Sequence, residues 1–216
     1  MKRTSDEAKK TKASILDAGT KVFARVGYER ATLAAIGNKA NLTRGAIYWH
    51  FKNKQELFER ILEREGGRLD KIIESALSTG SPPFSKLRRL LEAVIDNFFD
   101  NETFRDFIEL TWYKLGSGQF GRIMDAKTVF VQNFLLLMER LLGESLASGE
   151  IRPGIDARRA SYHLSCLING FYRLYHVAPE WARDKTRTKL MFQSHLDSLA
   201  ESNPPARELN SGKEPS

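Results

Sequence analysis

The run Leu42-Thr43-Arg44-Gly45-Ala46-Ile47-Tyr48-Trp49-His50-Phe51-Lys52-Asn53-Lys54 decides how this chain is read. Thr43 is placed to cap a short helix through about Trp49, its hydroxyl accepting from an otherwise unpaired amide of the first turn. Leu42, Ile47 and Phe51 are spaced to pack that helix inward. Thr43, Arg44, Gly45, Tyr48 and His50 are left for the opposite side. Just upstream, Thr32 can cap another short helix whose Leu33, Ile36 and Ala40 face inward, with Asn41 and Leu42 as the turn. Two short helices joined by a tight turn, the second flanked by basic and hydroxyl groups, suit a helix-turn-helix whose second helix enters the major groove of DNA.

Outward from this run, apolar residues recur at helical spacing and no sustained alternation of β-branched residues appears, so an all-α chain of nine helices is expected. The first begins near Ser5 or Asp6, carries Ile15, Ala18, Val22, Phe23 and Val26, and ends at Gly27. A long fourth helix enters through Lys52 to Lys54 and carries Leu57, Phe58, Ile61, Leu62, Leu69, Ile72, Ile73, Ala76 and Leu77, with Gly66 and Gly67 as a soft spot or bend. The Ser-, Gly- and Pro-containing stretch 78–83 closes it. Five further helices follow, the eighth from about Asp156 to Val177 and the ninth from about Arg183 to Leu199. This divides the chain into residues 1–54, residues 55–201 and a polar, Pro-containing tail 202–216 that is expected to be disordered.

Charge is unevenly distributed. Residues 1–54 hold 12 Lys/Arg against 4 Asp/Glu, so the net charge of +7 is all accounted for at that end. A basic end on a neutral body suits a polyanion, whose condensed counterions are released on binding. No run approaches the ~18 apolar residues that would span a bilayer, and no export signal is visible, so a soluble cytoplasmic protein without a membrane partner is expected. The single cysteine, Cys166, fits a reducing compartment. The four histidines lack metal-ligand spacing and no Gly-rich phosphate loop occurs, so no enzyme activity, catalytic residue, cofactor or metal is expected.

Residues 12–60, with Gly27-Tyr28, Thr32-Leu33, TRGAIYWHF and KNKQELF in order, resemble the tetracycline-repressor (TetR) family of one-component regulators, in particular its multidrug-efflux repressors. The resemblance implies an N-terminal DNA-binding domain and a C-terminal ligand-binding and dimerisation domain. It implies that Arg44 reads guanine, that Gly45 lets the backbone approach the bases, that Tyr48 touches base or phosphate, and that Ala46 belongs to the DNA-binding set. Thr32, Thr43, His50, Lys52 and Lys54 complete the DNA set. Trp49 belongs to the same set, although packing is the reading its residue type favours. Asn41 stands where the family commonly has Gly, a tolerable change at positive φ, and Gly37 stands where Ala is frequent, at a cost in helix propensity.

The resemblance also implies an effector cavity, with Phe99, Phe107, Trp112, Phe130, Phe134, Asn169, Tyr172 and His176 as candidate lining residues. The effector would be small and either hydrophobic or cationic; Asp96, Asp100 and Glu109 would meet a cation only if they faced inward. A homodimer would form through the last two helices, with Leu164, Leu167, Ile168, Phe171, Phe192, Leu196 and Leu199 as candidate interface residues. The implied function is a ligand-responsive repressor of a palindromic double-stranded operator, controlling an efflux pump. A regulator of lipid or acyl metabolism and a non-sensing architectural DNA-binding protein are the alternatives.

Overall fold

The computed structural model describes residues 5–111 and 121–200, with residues 121–130 placed by backbone only. The expected side chains of Trp112 and Phe130, and the tail 202–216, lie outside the described residues. The helices are α1 (Ser5–Arg30), α2 (Leu33–Lys39), α3 (Arg44–His50), α4 (Lys54–Leu77), α5 (Pro83–Asp100), α6 (Glu102–Glu109), α7 (Gly121–Ala147), α8 (Ala157–Val177), α9 (Pro179–Ala182) and α10 (Lys185–Leu199). The extra helix relative to expectation is α9, a single turn opened by Pro179, whose fixed φ and missing N–H suit a first helical position. Among the described residues no helix is long and apolar enough to cross a membrane.

The apolar side chains gather into two cores. The N-terminal core takes Ile15, Leu16, Val22 and Phe23 from α1, Leu33 and Ile36 from α2, Ile47 from α3, Phe51, and Leu57, Phe58 and Ile61 from α4. This core reaches past residue 54 into α4, where Leu57, Phe58 and Ile61 are fully buried. The second core is built by α4 beyond Leu69 together with α5, α6, α7, α8 and α10. Helix α4 is therefore shared by both, and it runs unbroken through Gly66 and Gly67.

Local chemistry sets the short helices. The Thr32 hydroxyl accepts from the Ala35 amide at 3.1 Å, and Thr43 accepts from Ala46 at 3.2 Å, so both threonines are the caps their positions suggested. Asn53 does the same for Glu56 at 2.8 Å and starts α4. Gly27 interrupts α1 at φ 78°, ψ 162°, a conformation closed to L side chains. Asn41 takes φ 55° in the turn between α2 and α3, as its side-chain chemistry allows.

Gly37 has a different role from the one expected of it. The turn folds back so that Leu42 N–H donates to the Gly37 carbonyl at 2.9 Å. A Cβ at Gly37 would lie 3.0 Å from the Leu42 carbonyl oxygen and 3.6 Å from Ile47 Cγ1. The weak helix propensity is thus tied to a close backbone approach that holds α3 against α2. A methyl sits at the edge of what fits, whereas a branched side chain collides. Gly37→Ala should leave stability within about 1 kcal/mol of the parent, the propensity gain offsetting the tight contact. Gly37→Val should lose about 2 kcal/mol or more. Equilibrium unfolding of the two variants checks this.

Candidate nucleic-acid interface and effector cavity

Helix α3 is anchored from behind by Ile47 and Phe51, which are 0% and 1% exposed. Its other side faces solvent, with Thr43, Arg44, Gly45, Tyr48 and Trp49 exposed and Ala46 and His50 half-buried. Arg44 Nη2 donates to the Tyr48 hydroxyl at 3.2 Å, and its guanidinium lies 5.4 Å from the centre of that ring. The two side chains one helical turn apart therefore form one cationic, aromatic surface. Trp49 departs from the packing role its residue type favours. It is 67% exposed, because the inward positions of so short a helix are already filled by Ile47 and Phe51. Its ring meets the His50 imidazole edge-on at 4.5 Å. Thr32, the cap of α2, and Lys52, next to the cap Asn53, are also exposed.

Lys54 was expected to hold a phosphate, and the structure gives it other work. Its ammonium donates to the carbonyl oxygens of Tyr28 at 2.8 Å, Glu29 at 3.0 Å and Ala31 at 3.1 Å, and it sits 4.4 Å from the centre of the Tyr28 ring. An ammonium has three N–H bonds, and all three are engaged. Lys54 thus caps the carbonyl end of α1 and clasps it to the start of α4.

In the C-terminal half, α4 to α8 enclose an apolar cavity of about 50 Å³. It is lined by Leu69, Val94, Phe104, Ile108, Val131, Phe134, Ser165, Ile168, Asn169 and Tyr172. Phe134, Asn169 and Tyr172, three of the candidate lining residues, are among them. Phe99 instead packs against Phe98, Phe171 and Tyr175. His176 lies 3.8 Å from Glu109, and Phe107 packs against both cores. The polar lining is Ser165, Asn169 and Tyr172; Asn169 Nδ2 donates to the Ser165 carbonyl at 2.7 Å. Phe104, Ile108 and Val94 escaped the sequence reading because helical periodicity marks them only as core.

The three acids considered for a cation are used elsewhere. Asp96 pairs with Lys185 and Lys189, each at 2.7 Å, and Asp100 with Lys185 at 2.8 Å, joining α5 to α10. Partial burial works against the Asp96 carboxylate, but the two ammonium groups outweigh it and hold its pKa below the ordinary value.

Helix α6 connects the cavity to the DNA-reading unit. Phe104 and Ile108 line the cavity, while Leu110, just past the helix end, is fully buried in the N-terminal core. Outside, Lys21 of α1 pairs with Glu102 at 2.6 Å. Asp106 lies in the same crevice between α1, α2 and α6, where burial and then the Glu102 charge push its carboxyl pKa up.

The candidate interface residues divide sharply. Leu164, Phe171, Phe192, Leu196 and Leu199 are buried within the protomer, and Ile168 lines the apolar cavity. A single apolar period on α8 and α10 serves the protomer's own core first. The apolar residues turned outward are others: Leu174, Trp181 and Met191 are exposed and line one groove with Leu167, Cys166 and Gly170. Tyr162, Val177 and Leu190 are exposed too. Trp181, on the short α9 that the sequence reading did not separate, is 72% exposed.

These features define a helix-turn-helix protein with an all-helical body enclosing an apolar cavity. Residues 15–61 match the family model of bacterial regulatory proteins, tetR family. It is 28% identical over 182 residues to the HTH-type transcriptional regulator TtgR of Pseudomonas putida, covering 83% of this chain and 87% of that protein. Among solved structures it is similar to SmeT, the repressor of the Stenotrophomonas maltophilia multidrug efflux pump SmeDEF, at 29% identity and a TM-score of 0.69, over 89% of this chain and 91% of that one. The SmeT–triclosan complex matches at 28% identity and a TM-score of 0.73, over 90% and 93% of the two chains.

The clasp made by Lys54 generates a prediction. Lys54→Met keeps the stem but strands three carbonyl oxygens, and should cost about 2 kcal/mol of stability, visible as a lower melting temperature. The slope of log affinity for DNA against log salt should stay unchanged, since no phosphate contact is lost.

Proposed function

We propose that the protein is a ligand-responsive transcriptional repressor that binds a palindromic DNA operator as a homodimer in the cytoplasm and is released by a small uncharged aromatic effector. The observation that carries this reading is α6, which ends in the core behind the recognition helix and starts in the wall of the cavity. In the DNA complex Arg44 donates to guanine in the major groove, and Tyr48 and Trp49 add contacts to base or sugar. Thr32, Thr43, His50 and Lys52 hold phosphates and set register without reading sequence. A second copy covers the outward groove of α8 to α10, because a palindromic site needs two recognition helices about 34–36 Å apart or a multiple of it.

The effector is uncharged because no charged side chain is among the described residues lining the cavity. A cation there would be left unpaired in an apolar site. Asn169, Ser165 and Tyr172 orient one polar group of the ligand. Small-molecule pockets run to about 300–1,000 Å³, far above the volume found here. A ligand therefore enters by pushing the walls apart, α6 among them, and shifts the population away from the operator-binding state. The likeness to SmeT supports an efflux pump as the regulated target.

Selection from random duplex DNA with the purified protein tests the reading. A palindromic sequence should be recovered, and Tyr48→Ala should abolish the preference with an unchanged circular dichroism spectrum. Triclosan, used as the probe, should release the operator from the parent. Asn169→Leu should bind triclosan about five- to tenfold more weakly with operator affinity preserved, as expected for the loss of one hydrogen bond. Recovery of no preferred sequence, or normal operator affinity in Tyr48→Ala, would overturn it.

A further inference from the structure

Helix α8 shows solvent one stripe along its whole length. Tyr162, Cys166, Gly170, Leu174 and Val177, spaced four and three residues apart, are all exposed. The groove holding Leu174, Trp181 and Met191 opens on the α10 flank of this stripe and takes its α8 residues from 166–174. A second groove, of about 590 Å³, opens on the other flank, between α7 and α8, and takes its α8 residues from 158–163. In it stand Leu136 of α7 and Tyr162 of α8, which are 61% and 63% exposed. The two grooves therefore lie on opposite flanks and opposite halves of a single helix.

The second groove carries charges that its own protomer leaves unused. Glu139, half-buried on the α7 wall, and the guanidinium of Arg158, exposed at the start of the α8 wall, form no ion pair or hydrogen bond among the described residues. Partial burial of an unpaired carboxylate costs free energy until something pairs with it. A purely anionic partner would meet Glu139, and a purely cationic one would meet Arg158 and Arg159. A surface with both signs beside exposed apolar groups is complementary to itself, because in a two-fold contact residue i meets j while j meets i. Gly170 adds the geometry. Glycine weakens a helix interior, and nothing within the protomer calls for it here, since its φ is not positive and a Cβ would meet nothing within 4 Å. With Cys166 it forms the lowest part of the stripe, where another helix can come close.

We propose that the second copy covering the α8–α10 groove also fills the α7–α8 groove, its α8 crossing this α8 at Cys166 and Gly170. The N-terminal half of the crossing helix lies in the α7–α8 groove and its C-terminal half in the α8–α10 groove, and by symmetry each copy does the same for the other. Tyr162 of one copy packs on Leu136 of the other. Arg158 of one copy pairs with Glu139 of the other, twice per dimer. The contact between copies thereby spreads beyond the last two helices onto α7, which also supplies Val131 and Phe134 to the apolar cavity. It rests on the homodimer proposed above, whose buried faces it specifies.

Sedimentation equilibrium of the full chain tests this. Glu139→Arg and Arg158→Glu should each weaken dimerisation about tenfold or more, since each sets like charges together at two symmetry-related places. The double variant Glu139→Arg/Arg158→Glu exchanges the charges and should return to within about threefold of the parent, the coupling expected of residues in contact. Arg140→Glu changes an exposed residue of α7 outside the groove and should dimerise as the parent does, which separates the contact from net charge. Gly170→Leu has room within the protomer and should weaken the dimer about tenfold with an unchanged circular dichroism spectrum. If the single charge variants dimerise normally, or the double variant stays as weak as they are, the α7–α8 contact is overturned; a weakened Gly170→Leu then leaves the α8–α10 dimer standing. Normal dimerisation of Gly170→Leu overturns the crossing point. A parent that stays monomeric at every concentration overturns the homodimer itself and this contact with it.

Discussion

Leu110 emerges from the end of α6 and is buried completely in the core that α1 to α4 build behind the recognition helix. A unit of some fifty residues buries little surface for its size and is marginal alone. One fully buried leucine contributes about 1.5–3 kcal/mol, a large share of what such a unit can hold in reserve. The DNA-reading unit is therefore completed by a side chain that the other domain supplies. It cannot ignore a displacement of α6, because moving Leu110 opens a void in a close-packed core. The same short helix places Phe104 and Ile108 on the cavity and Phe107 between the two cores.

Rigidity is concentrated where sequence recognition needs it. Thr43 caps α3, Ile47 and Phe51 fix it from behind, and Gly37 brings the preceding turn into backbone contact with it. Lys54 then clasps the end of α1 to the start of α4. With the scaffold held this way, Arg44 and Tyr48 are ordered against each other in the free protein, which reduces the entropy lost when they meet a base pair.

Much of this was legible in the sequence because it is local. The caps Thr32 and Thr43, the left-handed Asn41, the break at Gly27 and the inward triad Leu42, Ile47 and Phe51 all follow from chemistry within one turn. What was not legible depends on residues distant in the chain. Lys54 looks like a phosphate ligand until the carbonyls of residues 28–31 are folded onto it. Trp49 looks like packing until Ile47 and Phe51 are seen to fill the available room. On α8 and α10 the apolar period marks one face, and only the fold shows that Leu164, Phe171, Phe192 and Leu196 spend it inside the protomer. The outward groove is carried by Leu174, Trp181 and Met191, residues that fall off the main stripe.

Transmission between two domains needs one stiff link and one compliant link. If both connections were interlocked apolar packing, a displaced cavity wall would meet resistance on both sides, and the ligand's binding energy would go into strain. If both were soft, the wall would move and the recognition helix would stay. Here α6 sets Leu110 in the N-terminal core and Phe104 and Ile108 on the cavity, while α4, the second connection, crosses between the cores at Glu65, where ion pairs stand in place of interlocked apolar groups. An effector can shift the operator-binding equilibrium only by its difference in affinity for the two states.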